Sequence, residues 1–146
     1  MIKNNIKNIA LSICFFCASM TMSFAQTSHT LLMDGDAFYE QGDYTIAEEK
    51  YRKAAEEKNT LKSQFNLGNS LYQQNRYEEA VSQFEKSSQQ GSSNLEKADA
   101  NYNLGNTYIK GGQLEPAIEA YKRAIQQNPD DMDARRNLFL AKLMQQ

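Results

Sequence analysis

The sequence is poor in the groups that carry chemistry. Among 146 residues there is one histidine, His29, and there are two cysteines, Cys14 and Cys17. A lone imidazole, with no second histidine and both cysteines confined to the first 25 residues, does not make a metal site. No serine–histidine pairing, glycine-rich phosphate loop or repeated ligand spacing appears, so neither enzymatic activity nor a cofactor is expected. Both cysteines lie within the first 25 residues, which leaves the rest without a thiol; its core must hold without disulfides. Positive charge is also lacking. The formal net charge is −2 with no basic stripe, which argues against nucleic acid and anionic membrane surfaces as partners. After residue 25 no run is long and apolar enough to span a bilayer.

The amino end differs from everything that follows. Lys3 and Lys7 form a basic start, Ile9 to Met22 is mostly apolar, and Ser23-Phe24-Ala25 places small residues where a signal peptidase reads. The expectation is a signal peptide over 1–25, cleaved to leave Gln26, rather than a retained anchor. The apolar stretch is short for a span and is broken by Ser12, Ser19 and Thr21. Ile13 and Phe16 precede the two cysteines where lipoprotein signals need smaller residues, so lipid anchoring is not expected. Loss of two lysines would take the mature chain to −4.

From there on the sequence repeats. Gly35, Gly68 and Gly105 recur at spacings of 33 and 37 residues. Twelve residues after each glycine stands an alanine (Ala47, Ala80, Ala117), four later an aromatic (Tyr51, Phe84, Tyr121), and three later a small residue (Ala54, Ser87, Ala124). Leu67/Leu71 and Leu104/Tyr108 add apolar positions one helical turn apart. Gly42, Asn75 and Gly112 each fall seven residues after the repeat glycine and are the residue types that end a helix in left-handed conformation. Tyr44, Tyr77 and Leu114 then open the next apolar pattern. The spacing predicts helices near 30–41, 44–58, 61–74, 77–90, 95–110, 114–127 and 131–144, with Gly91-Ser92-Ser93-Asn94 as a flexible loop. Pro116 suits a first helical turn. Asp130 and Asp131, beside Asn128 and Pro129, are an N-cap for the final helix rather than a catalytic carboxylate pair.

This pattern resembles the tetratricopeptide repeat (TPR), a helical hairpin of ~34 residues. The resemblance implies an all-α, right-handed superhelix of three hairpins, at about 28–60, 61–94 and 98–131, plus a capping helix at 131–144, all within a domain over 26–146. In such hairpins the closest helix–helix approach needs small side chains, which Gly35/Ala47, Gly68/Ala80 and Gly105/Ala117 can supply. The aromatic would fill the wedge between neighbouring hairpins, contributing about 2–3 kcal/mol each. Glu48/Arg52 and Glu49/Lys53, acid before base four residues apart, are expected as pairs on a solvated outer face.

By the same resemblance the first helix of each repeat lines a concave groove that binds protein segments. Its walls would present Leu32, Met33, Asp36, Tyr39 and Glu40, then Lys62, Phe65, Asn66, Asn69, Tyr72 and Gln73, then Asp99, Tyr102, Asn103, Asn106 and Lys110. Two copies of Asn-Leu-Gly-Asn, at 66–69 and 103–106, would set four amides there. A primary amide both donates to and accepts from a peptide backbone, so it can hold an extended ligand without reading side chains. Tyr39, Phe65, Tyr72 and Tyr102 would add apolar contact area. TPR domains that grip a terminal carboxylate use lysine and arginine at places held here by Leu32, Asp36, Asp99 and Asn103; only Asn66 agrees, so that grip is not expected.

The paired Asn-Leu-Gly-Asn motifs, the long second spacing, and the run from Asn128-Pro129-Asp130-Asp131 to Arg136-Asn137-Leu138 resemble the TPR proteins of the Bacteroides aerotolerance (Bat) operon. That resemblance implies a protein of the periplasm or cell envelope of a Gram-negative bacterium. It would be a non-enzymatic scaffold working beside membrane proteins with von Willebrand A domains. A self-assembling structural module is the competing expectation.

Overall fold

The computed structural model describes residues 27–146, and the expected signal peptide lies outside them. The described residues run helical from 27 to 40 (α1), then α2 Tyr44–Glu57, α3 Leu61–Gln73, α4 Tyr77–Gln90, α5 Asn94–Lys110, α6 Leu114–Gln127 and α7 Met132–Gln145. His29 lies exposed in α1. No described helix is long and apolar enough to cross a membrane.

Three turns make the hairpins, and all are built alike. Gly42, Asn75 and Gly112 take φ of 84°, 60° and 74°, the left-handed conformation anticipated for them. The following residue's N–H then reaches back to the helix it leaves: Asp43 to Phe38 O (2.9 Å), Arg76 to Leu71 O (3.0 Å) and Gln113 to Tyr108 O (2.8 Å). These six-to-one bonds satisfy carbonyls that the helix end would orphan. The reversals are so tight that α2, α4 and α6 start without a side-chain cap. Between hairpins the chain uses capping chemistry instead. Thr60 and Ser63 form a capping box on α3, Ser93 and Glu96 another on α5, and Asp131 accepts from Ala134 N at 2.9 Å on α7. The segment expected as a flexible loop is therefore a capped helix start. Glu96 accepts from the backbone N–H groups of both Ser92 and Ser93, and the extra residues become one more turn of α5.

From α2 onward each helix packs on the next in chain order. Tyr51, Phe84 and Tyr121 are all but fully buried. Each ring closes on the repeat glycine of its own hairpin. A methyl built on Gly35 would stand 2.5 Å from Tyr51, on Gly68 2.9 Å from Phe84, and on Gly105 2.5 Å from Tyr121. The glycine makes room for the aromatic ring of its own hairpin, the side chain nearest to it.

Two further expectations change. Glu48 does pair with Arg52, but it is only 8% exposed. Its other oxygen accepts from Arg76 Nη1 at 2.6 Å and Gln74 Nε2 at 2.8 Å, both from the next hairpin. Burial alone would raise its pKa; the hydrogen bonds from Gln74 and Arg52 and the two arginine charges outweigh that and lower it. The terminal helix is also an incomplete cap. It buries Ala134 and Ala141 but leaves Phe139, Leu140, Leu143 and Met144 exposed.

Candidate functional site

The groove is built where the first helix of one repeat meets the first helix of the next. Each such junction brings together three positions. They are the residue after a repeat glycine, the residue two before the next repeat glycine, and the hydroxyl of the hairpin's buried aromatic.

In the first junction Asp36 Oδ1 accepts from Tyr51 Oη at 2.8 Å and from Asn66 Nδ2 at 2.8 Å. Its other oxygen takes Lys62 Nζ at 3.1 Å. Burial, then the hydrogen bond to Asp36, pushes the Tyr51 hydroxyl far above the ordinary tyrosine range, so it stays a donor. The last junction repeats this arrangement. Asn106 Oδ1 accepts from Tyr121 Oη at 2.7 Å and from Asn137 Nδ2 at 3.1 Å. Asn137-Leu138 follows Asn103-Leu104 by 34 residues, which places α7 in register with the first helices of the repeats, with Phe139 in the glycine's place.

The middle junction is different. Its positions hold Asn69, Asn103 and Phe84, and a phenyl ring has no hydroxyl to donate. Asn69 and Asn103 are half-buried, and among the described residues neither side chain has a hydrogen-bond partner. Of the four amides expected to be available, Asn66 and Asn106 are committed within the fold, and Asn69 and Asn103 are open. Leu32, expected on the groove wall, belongs to the buried core instead.

The aromatic wall is half-buried and braced from behind. Tyr39 stands edge-on to Tyr44 (ring centres 5.2 Å), Tyr72 to Tyr77 (5.7 Å) and Phe65 to Phe84 (5.7 Å), while Tyr102 tilts against Tyr121 at 6.1 Å. Such contacts hold the rings in place, so a ligand meets a surface with little freedom left to lose. Two depressions open along the wall. One, of about 220 Å³, is lined by Asp36, Tyr39, Glu40, Tyr51, Asn66 and Asn69. The other, about 200 Å³ and more apolar, lies among Tyr72, Asn106, Ile109, Leu140 and Met144. No group of three metal-ligating side chains occurs among the described residues.

The comparisons with known proteins agree with this architecture. Residues 32–95 and 98–131 both match descriptions of the tetratricopeptide repeat. The chain belongs to the tetratricopeptide-repeat family. No curated protein sequence matches it. Among solved structures it is similar to the first TPR of Spaghetti (RPAP3) bound to the HSP90 peptide SRMEEVD, with TM-score 0.75 and 19% identity over 82% of this chain and 93% of that one. The N-terminal domain of stress-induced protein-1 from C. elegans gives TM-score 0.75 at 20% identity, covering 82% and 97% of the two chains. The TPR2AB domain of yeast Sti1, in complex with an HSP90 peptide, gives 0.74 at 23% identity over 82% of this chain and 48% of that one. At these identities the likeness is one of fold. Tetratricopeptide repeats are protein-interaction modules, which directs attention to the groove rather than to chemistry.

The signal for the open junction was present in the sequence. The series Tyr51, Phe84, Tyr121 shows the missing hydroxyl once the position is known to face the groove amides.

Proposed function

We propose that the chain is an exported, non-enzymatic scaffold whose concave groove holds an extended segment of another envelope protein. The observation that carries this reading is the braced wall of Tyr39, Phe65, Tyr72 and Tyr102, with open amides at its centre and a depression to either side. The peptide complexes of Spaghetti's first TPR and of Sti1 support the use of such a surface for an extended ligand. The ligand chemistry differs from a carboxylate grip, since Leu32 is in the core and Asp36 is occupied by Tyr51 and Asn66. Export rests on Lys3, Lys7, the apolar run and Ser23-Phe24-Ala25. The place we assign is the Gram-negative periplasm, in a Bat-type aerotolerance or stress complex with membrane proteins carrying von Willebrand A domains. The resemblance of the Asn-Leu-Gly-Asn and Asn-Pro-Asp-Asp segments supports that assignment.

Capture of partners from envelope extracts by residues 26–146 tests the groove. Tyr39→Ala combined with Tyr72→Ala, in a chain that still melts cooperatively, should lose the captured partner; an unchanged capture profile would sink the groove reading. Mass spectrometry of the exported protein should find Gln26 at its amino end. Detection of the full-length chain alone contradicts cleavage.

A second reading, self-assembly through α7, is favoured by one observation: Phe139, Leu140, Leu143 and Met144 are 66%, 46%, 57% and 63% exposed along one helix. Sedimentation across a concentration range separates the two. Association that Phe139→Ser with Leu143→Asp abolishes supports assembly, and a strictly monomeric chain removes it.

A further inference from the structure

Resting on the groove reading above, we infer that the junction between the second and third repeats is the position where a ligand's main chain is held, and that Phe84 keeps it open. The ligand class is an internal peptide unit of an extended segment, bound by the side-chain amides of Asn69 and Asn103.

Three junctions bring together the same repeat positions, and two are closed by a tyrosine hydroxyl donating to the residue after the repeat glycine, at 2.8 Å and 2.7 Å. With its oxygen fixed by that bond, the same residue also accepts from the asparagine of the next helix. In the middle junction Phe84 places its ring in the same site against Gly68 but offers no donor. Asn69 and Asn103 hold the positions of a pair bonded in both other junctions, yet among the described residues no side-chain bond closes them. Each amide thus presents an N–H donor and a carbonyl acceptor to the groove, the complement of a peptide unit.

The surroundings select among ligands. Asp99 occupies the place that Lys62 holds in the first junction, and it has no ion-pair partner among the described residues. A terminal carboxylate at this junction would therefore meet like charge, whereas an internal peptide unit is neutral. Asn69 also borders the first depression and Tyr72 the second. An extended chain crossing the junction can thus lower side chains into the depressions on either side.

The test uses residues 26–146 and a displayed library of random heptapeptides held between fixed glycine–serine linkers, so that no free carboxylate is presented. Peptides enriched on the wild-type chain should bind at least tenfold more weakly to Phe84→Tyr and to Asn69→Ala with Asn103→Ala. Phe84→Tyr should at the same time melt at a higher temperature, because its hydroxyl closes the junction as the other two are closed. Methylating one main-chain nitrogen in the core of an enriched peptide should also cost at least tenfold. Enriched peptides that bind both variants as they bind wild type overturn the junction and leave the groove reading standing. A library that yields no binder to the wild-type chain overturns both.

Discussion

The first and middle junctions of the groove occupy equivalent places in one repeat and differ in how their polar groups are used. In the first, Tyr51, Asn66 and Lys62 all converge on Asp36. In the middle one, the side-chain amides of Asn69 and Asn103 have no hydrogen-bond partner among the described residues. The repeat positions are equivalent, so the repeat pattern alone does not decide which amides are available. A single oxygen, present on Tyr51 and Tyr121 and absent from Phe84, decides it. A conserved-looking amide motif can therefore be structural in one copy and available in the next, and the distinction lies on a different helix.

Substitutions at the two junctions should separate them by measurable amounts. The largest effect is expected where ring and glycine meet. Gly105→Ala places a methyl 2.5 Å from a Tyr121 ring whose hydroxyl is already fixed on Asn106, and should cost about 2–3 kcal/mol despite alanine's better helix propensity. Gly68→Ala meets Phe84 at 2.9 Å, a ring with no anchored hydroxyl, and should cost clearly less in the same urea titration. Equal losses would show that the hydroxyl anchor is irrelevant.

On the opposite face, Glu48→Gln leaves Arg52 and Arg76 facing a neutral group and should lose about 2 kcal/mol. The pH dependence has a definite sign. The folded pKa of Glu48 lies below its ordinary value of 4.5, so its contribution is complete above about pH 4.5 and is lost as pH falls through the folded value. Wild type should therefore lose stability faster than Glu48→Gln on acidification below pH 4.5, measured by melting at stepped pH.

Tyr51→Phe and Tyr121→Phe each imitate the middle junction. Each should cost about 1 kcal/mol, the worth of one part-buried hydrogen bond. The smallest change expected is a gain. Ser87 stands where the other hairpins have Ala54 and Ala124, and its buried oxygen has no hydrogen-bond partner among the described residues. Ser87→Ala should raise stability by up to about 1 kcal/mol in thermal melts.

Most of the fold was legible in the residues. Offsets of twelve, four and three from each glycine defined the hairpins, and Gly42, Asn75 and Gly112 marked turns that the structure makes in left-handed conformation. Asp131 was readable as a cap because it stands just before a helical pattern. What was not legible was which small or charged group touches which. The offsets locate Gly35 and Ala47 but do not say that the glycine faces Tyr51. Glu48 and Arg52 looked like an ordinary surface pair, since Arg76, which helps to bury the carboxylate, lies 28 residues on. The four groove amides looked equivalent for the same reason: their hydrogen-bond partners come from other helices. Periodicity reports faces of a helix, and contacts across repeats depend on superhelical geometry that periodicity does not contain.

The most direct test of the open junction observes the amides themselves. With an enriched heptapeptide added to ¹⁵N-labelled residues 26–146, side-chain NH₂ signals assigned by single Asn→Ala variants should separate into two classes. Asn69 and Asn103 should shift most on titration, while Asn66, Asn106 and Asn137, which border the depressions but are engaged within the first and last junctions, should shift clearly less. Shifts confined to Asn66 and Asn106, or spread evenly over all five, would contradict the account.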